Sequence, residues 1–325
     1  MSANSVVTLT GGIGGAKLCL GLQRVLPADA LTIVVNTADD FDHLGLRICP
    51  DVDTTLYTLG GLANPELGWG RSDETWSFMR VLDTLGGETW FRLGDGDLAL
   101  HVERTRRLMA GETLSTITKD VAKRFGIRSQ ILPMSDDAVR TIVNTPEGEI
   151  AFQDYFVRQR CVPVVTQLRF DGAQSARVSP FVRQALDDDA LRAIVIAPSN
   201  PYLSIDPILA IPGMQACLRA AGVPIVAVTP IIGDAAVKGP TAKIMRELGI
   251  PPSPLAVVAH YRGLVDGFVL DSKDADLAGR LDLPVRVCNT LMLTLEDRER
   301  VADTVLDFVA ALKPLQRAPG ARTTR

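Results

Sequence analysis

The chain has 325 residues, of which 46% are hydrophobic and 22% are charged, and its formal net charge at pH 7 is −4. This composition is typical of globular proteins with a large core. The mild acidity provides no basic surface for nucleic acid, and no apolar run is long enough to span a bilayer. We therefore expect neither a nucleic-acid partner nor a membrane partner.

The cysteines indicate the expected compartment. Five of them are dispersed along the chain without any CxxC pair, namely Cys19, Cys49, Cys161, Cys217 and Cys288. Such usage favours reduced thiols. The N-terminus also lacks a basic segment followed by a long apolar stretch, so we expect no secretory signal and a cytoplasmic protein. The three histidines are too few and too scattered for a zinc site.

A glycine-rich turn follows the first predicted strand, Val6–Leu9. This turn, Thr10–Lys17, opens an amphipathic helix, an order that is typical of phosphate-binding turns. It lacks the third glycine of the dinucleotide pattern and the Gly-Lys-Ser/Thr of the Walker pattern. We expect Gly12 and Gly14 to approach a phosphate closely, with Lys17 as the counter-charge. The alternative is a tight turn that is selected for packing.

The second predicted strand, Leu31–Val35, ends at Asn36 and opens into a loop with clustered carboxylates. Five aspartates lie within fifteen residues of this loop, namely Asp39, Asp40, Asp42, Asp51 and Asp53. Clustered acids at the end of a buried parallel strand suit Mg²⁺, which takes one or two carboxylates and fills its shell with water and phosphate oxygens. The alternative is a solvated loop in which Asp51 or Asp53 caps the next helix.

Residues 60–126 are predicted to be mostly helical and to form an insertion, or lid, over the acidic loop. Arg92 lies between apolar residues and a Gly-Asp-Gly turn, which makes it a candidate anchor for a substrate. The alternative is an arginine in a surface salt bridge. A hairpin over Val139–Thr145 and Glu149–Phe156 is predicted to follow, and then an apolar strand over Val162–Leu168.

Another buried strand, Arg192–Ala197, is predicted to deliver a polar loop to the start of a helix. Ser199, Asn200 and Ser204 in this loop are candidate donors of hydrogen bonds to phosphate beside the helix N-terminus. After one more strand, Lys238 precedes a Gly-Pro pair at a helix start and is a third phosphate candidate.

Strands that alternate with helices along the chain predict an α/β fold with a mostly parallel sheet flanked by helices. The strands Gly267–Asp271 and Leu283–Cys288 complete this sheet. We expect a single domain over residues 1–312, with the helical insertion at 60–126, and a flexible tail at 313–325.

Five motifs, which occur in the same order, resemble the 2-phospho-L-lactate transferase family of deazaflavin coenzyme F-420 biosynthesis, and the resemblance runs from about residue 5 to residue 312. These motifs are Asn36-Thr-Ala-Asp-Asp40, Ile48-Cys-Pro-Asp-Val-Asp-Thr54, Leu93-Gly-Asp-Gly-Asp97, Ser199-Asn-Pro-Tyr-Leu-Ser-Ile-Asp-Pro-Ile-Leu209 and Ala236-Val-Lys-Gly-Pro240. The resemblance implies a Rossmann-like fold, Mg²⁺ dependence and a homodimer. It also implies that a phospho-acid group moves from a guanosine diphosphate ester to the deazaflavin Fo, with release of GMP.

The resemblance also assigns residues. It implies that Asp53 and Arg92 contact Fo, that Asp40 with Asp39 binds the metal, and that the loop Ser199-Asn200-Pro201 holds the diphosphate. Asp53 or Asp51 would orient the Fo hydroxyl and act as the base. Lys17 and Lys238 would stabilise developing charge. Trp69, Trp76 and Trp90 are candidates for stacking on the deazaflavin ring, with core packing as the alternative.

The donor acid is not fixed by these motifs and is 2-phospholactate, phosphoenolpyruvate or 3-phosphoglycerate, supplied by a guanylyltransferase. Tyr202 and Asp206 stand where relatives often carry small residues, so we hypothesise that they reshape the pocket for the acid and favour a donor derived from phosphoenolpyruvate or 3-phosphoglycerate over one derived from 2-phospholactate. The alternative function is a non-catalytic, nucleotide-sugar-binding metabolic regulator of a related fold. An NAD(P) dehydrogenase is disfavoured by the glycine pattern, and a sugar-phosphate nucleotidyltransferase would use a free nucleoside triphosphate.

Overall fold

The computed structural model describes residues 5–65, 69–233, 235–236 and 239–312. The strands of this part of the chain are β1 (Ser5–Thr10), β2 (Leu31–Val35), β3 (Phe41–His43), β4 (Leu46–Ile48), β5 (Gln130–Pro133), β6 (Arg140–Thr145), β7 (Gly148–Ala151), β8 (Gln167–Asp171), β9 (Leu191–Ile196), β10 (Ile225–Val228), β11 (Ile231–Ile232), β12 (Ala235–Ala236), β13 (Gly267–Asp271) and β14 (Val285–Cys288).

The α-helices of the described residues lie between these strands and after the last one. They are α1 (Gly12–Val25), α2 (Pro50–Leu59), α3 (Ser77–Thr84), α4 (Asp95–Met109), α5 (Leu114–Arg124), α6 (Pro180–Leu186), α7 (Asp206–Leu209), α8 (Met214–Ala220), α9 (Thr241–Glu247), α10 (Pro254–His260) and α11 (Leu295–Ala311). None of the helices in the described ranges has the length and apolarity needed to cross a bilayer.

Seven strands form a parallel sheet in the order β14-β13-β10-β9-β1-β2-β5. The chain runs outward from β1 to β2 and β5, and then returns to β9 on the other side of β1. The strand order therefore reverses between β1 and β9, and a crevice at such a reversal is where open α/β sheets bind ligands. The predicted fold class is confirmed, and the carboxyl ends of β1, β2 and β9 define the region that matters for function.

Apolar side chains cover both faces of the sheet, which explains the nearly continuous apolar runs of its strands. Helices α1, α2, α5 and α11 pack in one core cluster on one face, where Leu18 and Leu22 lie in the same cluster as Val301 and Val305. A second cluster packs α6, α8 and α10 against the other face. Most of the sheet is therefore a buried layer, whereas the edge strand β14 is partly exposed.

Small antiparallel sheets flank the main one. The predicted hairpin is confirmed as β6 and β7, but its second strand ends at Ala151, because Asp154–Arg158 is π-helical. Strand β8 completes a three-stranded sheet on the other side of β6. The strand predicted over Val162–Leu168 is wrong, because the strand covers Gln167–Asp171 instead. Val162 and Val164 are exposed, so apolar composition alone did not indicate pairing here.

The segment 60–126 contains α3, α4 and α5, so the prediction of a helical insertion here is confirmed. Its last helix is part of the main core, where Ile117 and Val121 are buried. Its earlier part forms a separate apolar cluster with the β3–β4 hairpin, centred on Ile48, Met79 and Leu93. The action of the segment as a lid stays a prediction, and the predicted tail at 313–325 lies outside the described residues.

Candidate active site

The loops that follow β1 and β9 touch each other at the strand reversal. A Cβ atom added to Gly14 would lie 2.8 Å from the carbonyl oxygen of Pro198, and one added to Gly15 would lie 2.4 Å from Ser199 Oγ. Contacts this short leave no room for a side chain. These glycines therefore allow two loops to pack, which agrees with the packing alternative for the turn.

Ser199 joins the two loops through its hydroxyl group. Its Oγ accepts a hydrogen bond from the Gly11 amide at 3.1 Å and donates one to the Gly11 carbonyl at 2.8 Å. The side chain is 4% exposed. Ser199 was predicted as a phosphate ligand, but the structure assigns its hydroxyl to the backbone of the glycine turn.

Asn200 shapes the second loop. Its Oδ1 accepts hydrogen bonds from the amides of Tyr202 and Leu203, and so caps the short π-helical segment Pro201–Ile205. Its Nδ2 is buried and has no hydrogen-bond partner among the described residues. Ser204 is also buried, with its Cβ and Oγ against Gly11. The predicted phosphate residues of this loop thus lie together, beside the glycine turn.

Asn36 and Asp51 connect these loops to the end of β2. Gly12 has a φ of +68°, and its amide donates to Asp51 Oδ1 at 2.8 Å. The Asn36 Nδ2 donates to Asp51 Oδ2 at 3.0 Å and to the Leu203 carbonyl at 3.4 Å. Asp51 therefore lies where the loops after β1, β2 and β9 meet.

Four aspartates of the acidic loop are buried: Asp39, Asp40, Asp51 and Asp53. Asp51 and Asp53 occupy the first turn of α2, where the helix dipole favours negative charge. The alternative in which one of them caps this helix is wrong, because the N-cap residue is Cys49 and no side chain makes the capping bond. The solvated-loop alternative fails for the same four residues.

Burial changes the protonation of three of these carboxyls. Burial raises the pKa of Asp40 to about 7, although the Cys49 thiol and the charges of Arg140 and Arg104 act in the opposite direction. Burial raises the pKa of Asp51 to about 6. Burial, together with the charge of Asp51, raises the pKa of Asp39 well above its ordinary value. Such groups are able to exchange protons near neutral pH.

Asp53 has the opposite environment, because Arg104 binds both of its carboxylate oxygens. Burial alone lowers the pKa of Arg104, but the charge of Asp53 raises it above the ordinary value. Arg104 is 2% exposed and also donates to the Arg47 carbonyl at 3.3 Å. Asp53 is thus held in one orientation by a buried guanidinium.

The network continues from Arg104 along helix α4. His101 Nδ1 lies 3.2 Å from an Arg104 nitrogen, and arginine can only donate, so Nδ1 accepts and Nε2 carries the ring proton. That Nε2 lies 3.1 Å from Asp97 Oδ2, and the Tyr57 hydroxyl donates to Asp97 Oδ1 at 2.5 Å. The sequence analysis did not assign Arg104 or His101. His101 and Arg104 follow Asp97 by four and seven residues, and this spacing is the signal that places all three on one helix face.

Two groups of residues could hold a cation. Asp53, Asp97 and His101 bring their ligand atoms within 4.8 Å of one another, but Arg104 already neutralises Asp53 there. Asp40 differs, because its buried Oδ1 has no hydrogen-bond partner among the described residues. A buried carboxylate oxygen without a partner, next to a second acid at Asp39, fits the oxygen ligands that Mg²⁺ prefers.

The remaining predicted residues lie farther from this meeting point. The Arg92 guanidinium stacks on Trp76 at 4.2 Å, and both line a small depression that also includes Asp97. Lys17 donates from Nζ to the Met292 carbonyl at 2.8 Å. Lys238 lies outside the described residues. Arg92 therefore shares a depression with Asp97, which lies next to His101 in the network that leads to Asp53.

Tyr202 and Asp206 were expected to reshape a donor pocket, and this interpretation is wrong. Asp206 Oδ1 lies 2.7 Å from His260 Nε2, and the Tyr202 ring packs on the His260 ring at 4.7 Å. His260 belongs to α10, on the opposite core face from α1 and α2. Both side chains therefore stabilise that face of the sheet.

A cleft of about 250 Å³ opens beside Asp40, at the carboxyl ends of β2 and β5. It is lined by Thr37, Asp40, Arg47, Leu108, Leu114, Ser135, Asp136, Asp137, Ala138 and Arg140. Asp40, a buried acid with a raised pKa, therefore lies at the edge of a space that can admit part of a substrate. This is the arrangement expected of an active site rather than of a packing contact.

Comparisons with known proteins identify the family of the chain. Residues 6–282 match the model of the family described as "2-phospho-L-lactate transferase CofD". A "Phosphoenolpyruvate transferase" of Streptomyces coelicolor is 38% identical over 96% of this chain and 99% of that protein. A "2-phospho-L-lactate transferase" of Methanococcoides burtonii is 38% identical over 94% of this chain and 99% of that protein.

The fold is also similar to that of a UPF0052-family protein from Bacillus halodurans. The TM-score is 0.63 at 16% identity, over 94% of this chain and 99% of that one. This likeness supports the fold alone. The family model and the relatives together support the motif resemblance, and the chain belongs to the 2-phospho-L-lactate transferase family.

Proposed function

We propose that the protein transfers a phospho-acid group from a guanosine diphosphate ester to the terminal ribityl hydroxyl of the deazaflavin Fo. The hydroxyl oxygen forms a bond to the phosphorus that carries the acid. The bond between that phosphorus and the bridging oxygen breaks, and GMP leaves with this oxygen. The product is a phosphodiester that links the acid to Fo, as coenzyme F-420 biosynthesis requires.

One observation carries this proposal: buried carboxyls with raised pKa values lie against a glycine turn at the strand reversal. Asp51 Oδ1 accepts the Gly12 amide itself, so the acids and the turn form one site. Phosphoryl transfer depends on positioning and on neutralising charge more than on covalent catalysis. A site with these groups supplies both.

The nucleotide end of the donor is assigned to the glycine turn and the loop Ser199-Asn200-Pro201. Backbone amides in the first turn of α1 provide a positive end for a diphosphate. The buried Asn200 Nδ2, which lacks a partner among the described residues, is the side-chain donor available in this loop. Lys17 and Lys238 remain proposed counter-charges for the same group.

The acceptor is assigned to Asp53 and Arg92. Arg104 holds the Asp53 carboxylate in a fixed orientation, which suits a group that positions a hydroxyl. Asp51 is the better base, because its pKa of about 6 lies close to neutral pH and, among the described residues, no guanidinium binds it. The proton of the Fo hydroxyl therefore passes to a carboxylate oxygen of Asp51.

Asp40 and Asp39 would hold the Mg²⁺ ion. When bound, Mg²⁺ would neutralise charge on the diphosphate and on the leaving GMP. The residues themselves supply two buried acids, of which Asp40 has an oxygen without a partner among the described residues. Charge neutralisation at this point also removes the cost of burying both carboxylates.

The donor acid, its source and the assembly state complete the proposal. The acid is one of 2-phospholactate, phosphoenolpyruvate or 3-phosphoglycerate, and a guanylyltransferase supplies the ester in the cytoplasm. A homodimer remains an expectation. The alternative of a non-catalytic regulator is not favoured, because the matched relatives carry transferase names.

The test is a coupled assay of the purified protein with GTP, Mg²⁺, Fo, a guanylyltransferase and each acid in turn. Mass spectrometry then detects the deazaflavin product, and GMP is measured in the same samples. A new Fo phosphodiester with one acid, and one GMP for each product, supports the proposal. Nucleotide binding without product for any acid would favour the regulator.

A further inference from the structure

The cleft beside Asp40 contains one basic side chain whose role is unassigned. Most of its other charged groups are bonded to partners at the rim: Arg47 to Asp42 at 2.7 Å, Asp136 to the Ser115 amide at 2.7 Å, and Asp137 to the Arg177 amide at 2.8 Å. Asp40 and Arg140 remain. The unsatisfied charge of the cleft is therefore concentrated on these two residues.

Arg140 begins strand β6 and is half-buried. The hydrogen bond from its guanidinium goes to the carbonyl of Val139 at 2.7 Å, and within the described ranges no carboxylate lies at ion-pair distance. Burial lowers the pKa of Arg140, while the charge of Asp40 acts in the opposite direction. A guanidinium has five N–H donors, so most of them lack an acceptor here.

The size and walls of the cleft indicate what part of a substrate it admits. Its volume of about 250 Å³ is below the roughly 300–1,000 Å³ of sites that enclose a whole ligand. Leu108 and Leu114 provide an apolar wall. The cleft thus suits a small fragment that has a short carbon skeleton and a negative charge.

We propose that Arg140 binds the carboxylate of the three-carbon acid in the donor. This inference rests on the proposed function. A planar guanidinium matches a carboxylate with two parallel hydrogen bonds, whereas a tetrahedral phosphate is already served by the glycine turn. The carboxylate is common to the three candidate acids, so Arg140 selects donors that carry an acid and does not discriminate among the acids.

The phosphate oxygens of the donor are the other oxyanions that could reach Arg140. Binding measurements distinguish contact with the carboxylate from contact with the diphosphate. The probes are GDP, which has the diphosphate but no acid, and the guanosine diphosphate ester of 2-phospholactate. The variants are Arg140→Gln and Arg140→Lys. The matched control is Arg192→Gln, because Arg192 also donates to the preceding carbonyl, but is exposed near the start of β9.

Isothermal titration should show that the wild type binds the ester more tightly than GDP. Arg140→Gln should weaken ester binding by about 10- to 100-fold, the loss expected for a charge-assisted hydrogen-bond pair, and leave GDP binding unchanged. Arg140→Lys should recover part of the loss, because it restores the charge without the planar fork. Arg192→Gln should match the wild type with both probes.

Unchanged GDP binding also shows that the variants fold. Equal loss of GDP and ester binding would overturn the inference and assign Arg140 to the diphosphate. Equal affinities of the wild type for the two probes would overturn it as well. If the ester preference disappears in Arg140→Gln although no Fo product forms in the coupled assay, the inference stands and the proposed function fails. If the Fo product forms with the same KM for the ester in the wild type and in Arg140→Gln, the proposed function stands and the inference fails.

Discussion

Two buried polar regions lie side by side at the carboxyl end of the sheet and differ in how well they are satisfied. Where the loops after β1 and β9 meet, Ser199 bonds both backbone groups of Gly11, and Asn200 Oδ1 accepts two amides. After β2, Asp40 is equally buried, yet its Oδ1 has no partner among the described residues. Apart from Asn200 Nδ2, which also lacks a partner among the described residues, the first region holds the loops together, whereas the second retains a cost in stability that a bound substrate or cation removes.

Among substitutions in these two regions, replacing Asp40 by Asn should have the largest effect, on both turnover and stability. Loss of the metal ligand should lower turnover by roughly 1,000-fold. The same change should stabilise the metal-free protein at high pH, because the wild type must bury a charged carboxylate there. The carboxyl has a pKa of about 7 when folded, against 3.8 for the free group, so the difference in unfolding free energy reaches roughly 4 kcal/mol.

The sign of this pH effect follows from the raised pKa. Below pH 4 both states bind the proton, and the variant gains nothing. Between about pH 4 and pH 7 the unfolded chain loses its proton first, so wild-type stability falls relative to Asp40→Asn, and above pH 7 the difference is complete. Thermal melts in EDTA at several pH values measure it, with Asp83→Asn on the exposed face of α3 as the control. A variant that is less stable than the wild type at pH 8 would contradict the argument.

Replacing Arg104 by Met should have the next largest effect and should lower the free energy of unfolding. The change leaves Asp53 buried without its guanidinium, and breaking a buried pair in this way costs about 3–5 kcal/mol. Urea unfolding measures the loss. Adding Asp53→Asn to the same chain should recover part of it, because the unpaired charge is removed. A loss below about 1 kcal/mol would mean that solvent or another group already compensates Asp53.

Replacing Ser199 by Ala should have the smallest effect and should fall on stability. The amide and carbonyl of Gly11 lose a buried partner, which costs about 1–3 kcal/mol of unfolding free energy. The dissociation constant for GDP should change by less than about threefold, since the hydroxyl is committed to the backbone. If GDP binding weakens tenfold at unchanged stability, Ser199 contacts phosphate, as its sequence context predicted.

Much of the fold and the location of the site could be predicted from the sequence. Buried parallel strands are continuous apolar runs, so the strands at Leu31–Val35 and Gly267–Asp271 were identified with their boundaries. Parallel strands end at the same edge of a sheet, and this rule alone brings the loops after β1, β2 and β9 together. Local pattern and topology were sufficient at this level.

The assignment of individual side chains was less predictable. Arg104 binds Asp53 across 51 positions, and only the folded chain shows which of many arginines does so. The hydroxyl of Ser199 is bonded to the Gly11 carbonyl, and the carboxylate of Asp206 to His260. Local sequence shows neither contact. Polar residues in a site motif therefore divide into those that build the loops and those left unsatisfied, and this division depends on tertiary contacts.

The packing of α1 against α11 has a consequence for synthesis of the chain. A Cβ on Gly21 would lie 2.1 Å from the carbonyl oxygen of Arg298, so the two helices are in backbone contact. The glycine turn is translated well before the residues of α11 that lie in the same core cluster as Leu18 and Leu22. Helix α1 can pack on α2 early, but the part of its apolar face that α11 covers stays open until α11 has been synthesised. A premature stop codon before α11 therefore removes a support of the helix that carries the glycine turn.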